Sequence, residues 1–187
     1  MKDLEAVTTY IQKARGGDLH AIGKLVEIHQ QLVYSITWKV LGNKEDAEDA
    51  AQETFIRCAR NIQSFKGDAA FGTWLCSIAY RCAIDQFNKR KIRNIRFEQL
   101  TNDDNQSSGI SISSENTTES QEIKLILKQA IDALPTEDAL IIMLHYYWDM
   151  PLKEVGMVLN ITENNAKVRL FRSRNKLQAM LKQTNKF

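Results

Sequence analysis

The sequence predicts an all-α protein of two helical domains joined by a flexible acidic linker, and three observations predict it. Apolar residues recur at helical spacing through most of the 187 residues, with little of the alternation that marks strands. Only two prolines occur, Pro135 and Pro151, and both stand where a helix would begin. Charge is segregated: residues 1–97 carry 15 basic and 11 acidic groups, 98–122 none and six, and 123–187 ten and six. The formal net charge of +2 therefore conceals two basic regions flanking an acidic connector.

In the first region, helices are expected at 3–15, 18–41, 44–63 and 71–92. The second would bury Ile22, Leu25, Val26, Leu32, Val33, Ile36 and Val40. The third places Asp46, Asp49 and Glu53 at i, i+3 and i+7 with Gln52 beside them. Such an acidic ridge suits fast, salt-sensitive docking on a basic partner, or is a plain solvated face. Ser64 to Ala70 is a loop containing Gly67. The fourth helix carries two apolar stripes, one through Phe71, Trp74, Leu75, Ile78 and Cys82, the other through Cys76, Tyr80, Ala83, Ile84 and Phe87. A helix apolar on two sides is central to its domain. A basic run follows at Lys89, Arg90, Lys91, Arg93 and Arg96.

Residues 98–122 are rich in Ser, Asn, Asp and Glu and cannot bury enough apolar surface to offset the entropy of ordering, so they form the linker. Domain limits follow: 1–97, then the linker, then 123–187. Helical periodicity returns at 119–133 and 136–147. Leu152 to Leu159 is a short amphipathic helix with Pro151 at its start, and Asn160-Ile161 is a tight connection, because Asn accepts a left-handed conformation. Thr162 can cap the last helix, and Gly156 is small enough to let the two helices cross closely.

That last helix, Thr162 to Leu181, carries the sharpest functional signal. At about 100° per residue, Ala166, Leu170, Ser173, Leu177, Met180 and Leu181 share one face, with Asn164, Val168, Phe171, Arg172 and Asn175 opposite. Lys167 and Arg174 occupy one flank, Arg169 and Lys176 the other. From Lys167 to Lys186 there are seven basic residues and no acidic one. A helix in a DNA major groove has this pattern, with bases read by the outward face and phosphates gripped at the flanks. The alternative is an ordinary helical hairpin with a basic surface. The pair of helices has the logic of a helix–turn–helix.

Other classes are excluded by composition. Met1 to Glu5 has no signal-peptide core, and the apolar stretch from Ala139 to Trp148 is too short to span a bilayer, so a cytoplasmic protein is expected. Cys58, Cys76 and Cys82 lack paired spacing and read as reduced, packed residues. With His20, His29 and His145 they make no metal-ligand motif, so neither a metal nor a cofactor is expected. An enzyme, such as a metal- or thiol-dependent nucleic-acid hydrolase, would need a clustered carboxylate, His or Cys site, and the sequence offers none.

Four segments, in order, resemble the extracytoplasmic-function (group IV) sigma factors of the sigma-70 family of bacterial RNA polymerase. Asp46-Ala47-Glu48-Asp49-Ala50-Ala51-Gln52-Glu53-Thr54-Phe55 resembles region 2.1–2.2, Phe65-Lys66-Gly67-Asp68-Ala69-Ala70-Phe71-Gly72-Thr73-Trp74-Leu75 the stretch after it, Leu134-Pro135 a third motif, and Lys167 to Arg174 the region 4.2 recognition helix. The resemblance spans about residues 10–182. It implies a non-catalytic promoter-specificity subunit that recognises −10 and −35 elements. It implies that Asp46, Asp49, Gln52, Glu53 and Phe55 meet the β′ clamp helices of core polymerase. Around the loop, Phe65, Lys66, Gly67, Asp68, Ala69 and Arg81 would capture a flipped −10 base, with Phe65 either stacking on it or packing in the core, and Trp74 in the core. Lys89, Arg90, Lys91 and Arg93 would grip phosphates there. Asn165, Lys167, Val168, Arg169, Phe171, Arg172, Arg174 and Lys176 would contact the −35 duplex. Tyr80 and Arg81 stand where members commonly show Arg and Asn, Val168 where many carry Ser, and Asn160 where Gly is common. Further implied partners are the β flap and an anti-sigma factor, often membrane-anchored; the acidic linker would enter the RNA exit path, although any polar linker could serve. The competing reading is a free-standing helix–turn–helix regulator acting without core polymerase, which predicts tight duplex binding by the isolated protein.

Overall fold

Helix-forming sequence is punctuated by caps that set where each element starts and stops. In the computed structural model, residues 2–98 and 119–184 are described, with side chains over 6–93 and 125–183. Of the expected linker, residues 99–118 lie outside the described residues, while its two ends are helical: α4 runs to Glu98 and α5 starts at Glu119. The helices are α1 (Lys2–Arg15), α2 (Leu19–Leu41), α3 (Lys44–Asn61), α4 (Phe71–Glu98), α5 (Glu119–Asp132), α6 (Thr136–Ile142), α7 (Leu152–Leu159) and α8 (Glu163–Thr184). The described residues contain no strand, so the chain is all-α as its periodicity predicts.

Asp18 caps α2, its Oδ1 accepting from the backbone N–H of His20 at 2.9 Å and Ala21 at 3.2 Å. Gly42, at φ 70°, closes α2 in the left-handed region. Asn43 then caps α3 by accepting from the N–H of Asp46 at 2.8 Å. Two boundaries differ from the sequence expectation. The third helix tightens into a 3-10 turn over Ile62–Ser64, and α4 continues to Glu98 through the basic run. The helix expected at 136–147 changes its hydrogen-bonding pitch at Met143–Tyr147, a π turn.

The first four helices enclose Val33, Ile36, Leu75, Cys76, Ala79 and Ala83, all fully buried. Central as expected, α4 packs against α2, α3 and α7, although Phe87 of its second stripe is 45% exposed. His29 is a satisfied core histidine: its Nδ1 lies 2.9 Å from the Leu25 carbonyl and its ring edges against Phe71 at 5.2 Å. The three thiols are free and buried; burial pushes Cys58 up to about 11 and raises Cys76 and Cys82 as well, which makes all three poor nucleophiles. The last four helices enclose Leu140, Ile141, Leu144, Val155, Val158 and Ala166. The two bundles dock through α4 on α7, and Lys39 of α2 donates to the Asp132 carboxylate at 2.9 Å and to the Ile131 carbonyl at 3.2 Å.

Candidate nucleic-acid interface

The α7–α8 corner is built by three residues whose chemistry fits a tight turn. Asn160 adopts φ 55°, ψ 45°, a conformation its short polar side chain tolerates. Thr162 Oγ1 accepts from the Asn165 N–H at 3.2 Å, capping α8. Gly156 lets the returning chain approach: its carbonyl accepts from the Ile161 N–H at 2.9 Å, and a Cβ there would lie 2.8 Å from the Ile161 carbonyl oxygen. The corner is therefore sterically committed to glycine at 156.

Seated this way, α8 buries Ala166, Leu170 and Ser173 and turns the opposite face outward. Val168 is 41% and Phe171 65% exposed, so the apolar residues of this outward face stand in water. The two cationic flanks are not equivalent. Arg169 pairs with Glu137 and lies 4.0 Å from Asp138, while Lys176 Nζ is 2.5 Å from Asp138 Oδ2. Lys167, Arg172 and Arg174 are exposed and have no ion pair among the described residues. Three cations are thus available to an anion at once, and two must first exchange partners. Asn165 is exposed at the start of the same helix.

A second candidate surface is the loop before α4. Gly67, at φ 86°, makes a turn that side chains rarely adopt. The loop and α4 enclose a cleft of about 440 Å³, lined by Phe65 to Ala69 and, from the helix, by Trp74, Ser77 and Arg81. Behind it stands an aromatic cluster, with Phe65 centred 5.3 Å from Phe71 and 5.5 Å from Trp74. Phe65 therefore packs in the aromatic cluster, the core alternative of its sequence reading, and its edge also lines the cleft. Lys66, Asp68 and Arg81 are exposed, as are Lys89, Lys91 and Arg93 farther along α4. Two bracing residues went unread in the sequence. The Arg15 guanidinium donates to the Phe65 and Ile62 carbonyls, and the Gln63 amide donates to the Arg15 carbonyl at 2.6 Å. They lie far apart in the chain, and no periodicity relates them.

The acidic ridge divides on inspection. Asp49 and Gln52 are exposed, and Phe55 is half-buried beside a shallow cleft of about 610 Å³ that α3 shares with Val26 and Gln30 of α2. Glu53 pairs with Arg57 at 2.6 Å, and Arg57 reaches Asp85 of α4 at 3.4 Å. Asp46 turns inward. Its carboxylate accepts from Asn43 at 2.5 Å, Gln86 at 3.1 Å and Arg90 at 3.2 Å, which ties the start of α3 to α4 and engages a cation assigned to phosphate binding. The Asn43 hydrogen bond, with those of Gln86 and Arg90, holds the Asp46 carboxyl below the usual range, against the opposing effect of burial. A carboxyl lowered on folding stabilises the fold above its ordinary pKa, and that contribution is lost as pH falls through the lowered value. Asp46→Asn should therefore lose about 1–2 kcal/mol at neutral pH in urea denaturation. The gap to the parent should close in acid; a gap that persists unchanged there would sink this account.

No group of His, Cys, Asp and Glu able to hold a metal occurs among the described residues, and no described helix is long and apolar enough to cross a membrane. Comparison with known proteins points one way. Residues 25–92 match the model of Sigma-70 region 2, and residues 124–177 that of Sigma-70 region 4. The chain is 32% identical over 177 residues to the ECF RNA polymerase sigma factor SigW of Bacillus subtilis, covering 92% of this chain and 95% of that protein. It is 27% identical over 181 residues to the ECF RNA polymerase sigma-E factor of Escherichia coli K12, covering 92% and 94%. Among solved structures, CnrH in complex with the cytosolic domain of CnrY shares the fold at a TM-score of 0.66 and 20% identity, over 95% of this chain and 98% of that one.

Proposed function

This chain belongs to the sigma-70 family of RNA polymerase sigma factors, and we propose that it works as an extracytoplasmic-function (group IV) member with its contacts divided between two domains. It is a promoter-specificity subunit with no catalysis of its own. The first domain, residues 1–97, docks on the β′ clamp helices through Asp49, Gln52, Glu53 and Phe55, with Asp46 holding the docking helix in place. Its loop cleft captures a −10 base while Lys89, Lys91 and Arg93 neutralise the strand. Arg90 joins them by leaving Asp46. The second domain, residues 123–187, reads the −35 duplex with Val168, Phe171 and Arg172 and holds the flap of the β subunit. Each interface alone is modest, and tethering through the polymerase makes the second contact effectively intramolecular. An anti-sigma factor is the expected regulator, and the cytoplasm the expected place of action. A fold likeness to the sigma factor RpoE of Bartonella quintana, solved in complex with the anti-sigma factor NepR, supports the expectation of such a regulator.

The observation that carries this reading is the exposed Val168, Phe171 and Arg172 face of α8, on the same chain as a loop cleft bordered by Lys66 and Arg81. The test is run-off transcription with core polymerase, the full chain and a pool of promoter fragments from its own genome. Discrete polymerase-dependent transcripts that vanish with Glu53→Lys, alongside loss of core binding, are expected. Absence of core binding together with tight binding to duplex alone would instead make the chain a free-standing regulator.

A further inference from the structure

Two of the cations that flank the outward face of α8 are turned toward the protein, and they are not held alike. Arg169 pairs with Glu137, and both side chains are substantially exposed, at 35% and 49%. Lys176 Nζ donates to Asp138 Oδ2 at 2.5 Å, and the Asp138 side chain, in the first turn of α6, is only 11% exposed. Arg169 Nε stands 4.0 Å from the other oxygen of that carboxylate. Position along the helix matters as much as the pairing. The corner at Asn160 and the Thr162 cap fix where α8 starts. Lys176 lies about 20 Å along the axis from Glu163, the first residue of α8. Between these points the buried face is built in part from Ala166 and Ser173, small side chains that form shallow ridges and resist rotation about the helix axis weakly.

We propose that Asp138 is a positioning residue of the duplex-reading surface: by holding Lys176 against α6 it locks the rotation of α8, so that Lys176 aims Arg172 instead of gripping a phosphate. The proposal deepens the reading of α8 as the −35-reading helix and rests on it. Desolvation decides between the two uses of Lys176. Releasing it to a phosphate strands a buried carboxylate, a cost that one exposed phosphate contact does not return. Glu137 rehydrates when Arg169 leaves, so that pair opens at little cost. Arg169 is therefore free to exchange its partner for phosphate, and Lys176 is not. Rotation matters because binding groups tolerate errors of only about 10–20° in orientation. Arg172 sits one turn before Lys176, and the planar fork of a guanidinium meets two acceptors on a guanine edge only when aimed at them. Without Asp138, the far end of α8 is left to its apolar face and the easily opened Arg169–Glu137 pair, and Arg172 loses its aim.

The test uses holoenzyme assembled from core polymerase and the full chain. It is titrated at several salt concentrations with a promoter duplex recovered by run-off transcription, and with the same duplex scrambled in its upstream element. Two quantities are read: the preference for promoter over scrambled duplex, and the slope of log affinity against log salt. Asp138→Asn and Lys176→Gln should each lower the preference about tenfold and leave the slope no flatter than the parent's. Lys176→Arg, which can still pair with Asp138, should keep the parental preference. Lys167→Ala is the internal standard for a phosphate contact, with a slope flatter by about one unit and an unchanged preference. Lys176→Gln behaving like Lys167→Ala overturns the proposal, and so does parental preference in Asp138→Asn. If Asp138→Asn loses preference and flattens the slope together, the domain has lost its fold. Asp138→Asn with Lys176→Met, which leaves no buried charge unpaired, is then decisive under the same two criteria. A parent without preference, or one whose preference survives Arg172→Ala, removes the underlying reading of α8 instead, a separable result.

Discussion

Arg172→Ala is expected to remove most promoter-directed transcription while leaving association with core polymerase intact. Arg172 stands on the outward face of α8 between Phe171 and the flank of Arg169 and Lys176, yet it has no ion pair among the described residues to hold it back. A bidentate contact from such a group to guanine discriminates by about 1–3 kcal/mol, or roughly 5- to 150-fold in affinity. Two controls separate base reading from charge. Lys167→Ala on the exposed flank should weaken every duplex alike and flatten the salt dependence by about one unit of slope. Arg169→Ala should cost less, because that cation already spends its charge on Glu137. The comparison is made by titrating the preferred duplex and a scrambled one at several salt concentrations. If Arg172→Ala weakens both duplexes equally, the residue is a phosphate contact and the base-reading assignment falls.

Why was so much of this legible from the sequence? Helices announce themselves through local chemistry: apolar residues at i, i+3 and i+4, and Pro135 and Pro151 standing just before α6 and α7. The corner at Asn160 was equally local, since the left-handed turn and the threonine cap depend only on residues 160–165. The 3-10 turn at Ile62–Ser64 and the π turn at Met143–Tyr147 were not legible, because they reflect how the ends of helices are pulled by packing rather than any residue preference.

The candidate site divides along the same line. The outward face of α8 follows from angular position alone, so its exposed Val168 and Phe171 could be placed from spacing. Partnerships across the fold could not. Asp46 reads as one of three ridge acids, yet its neighbours Gln86 and Arg90 come from another helix and turn it inward. Arg169 and Lys176 read as one flank of a cationic grip, yet α6 sets Glu137 and Asp138 beside them. Likewise, nothing near Met157 in the sequence relates it to the loop of Gly67, whose cleft it helps to line. Charge patterns tell which residues can meet an anion; only the tertiary arrangement tells which are free to do so.

Gly156→Val should be the most damaging single change in the second domain, and its effect tests the geometry of the corner directly. Even a Cβ at this position would fall 2.8 Å from the Ile161 carbonyl oxygen and 3.5 Å from the Glu163 nitrogen. These are backbone atoms in the turn between α7 and α8, so the clash cannot be relieved by a side-chain rotation. Overpacking of this kind costs about 1–3 kcal/mol, and a branched side chain against fixed backbone belongs at the upper end. The turn itself would open, since the Ile161 N–H that bonds to the Gly156 carbonyl must move with its own carbonyl. Local loss of protection in α7 and α8 by amide hydrogen exchange is the direct readout, with duplex binding lost in parallel. Protection in α2 and α3 should persist, because their core of Val33, Ile36 and Leu75 does not depend on the corner. A Gly156→Val chain with parental exchange rates in α7 and α8 would mean that the helices do not cross closely enough for this clash to arise.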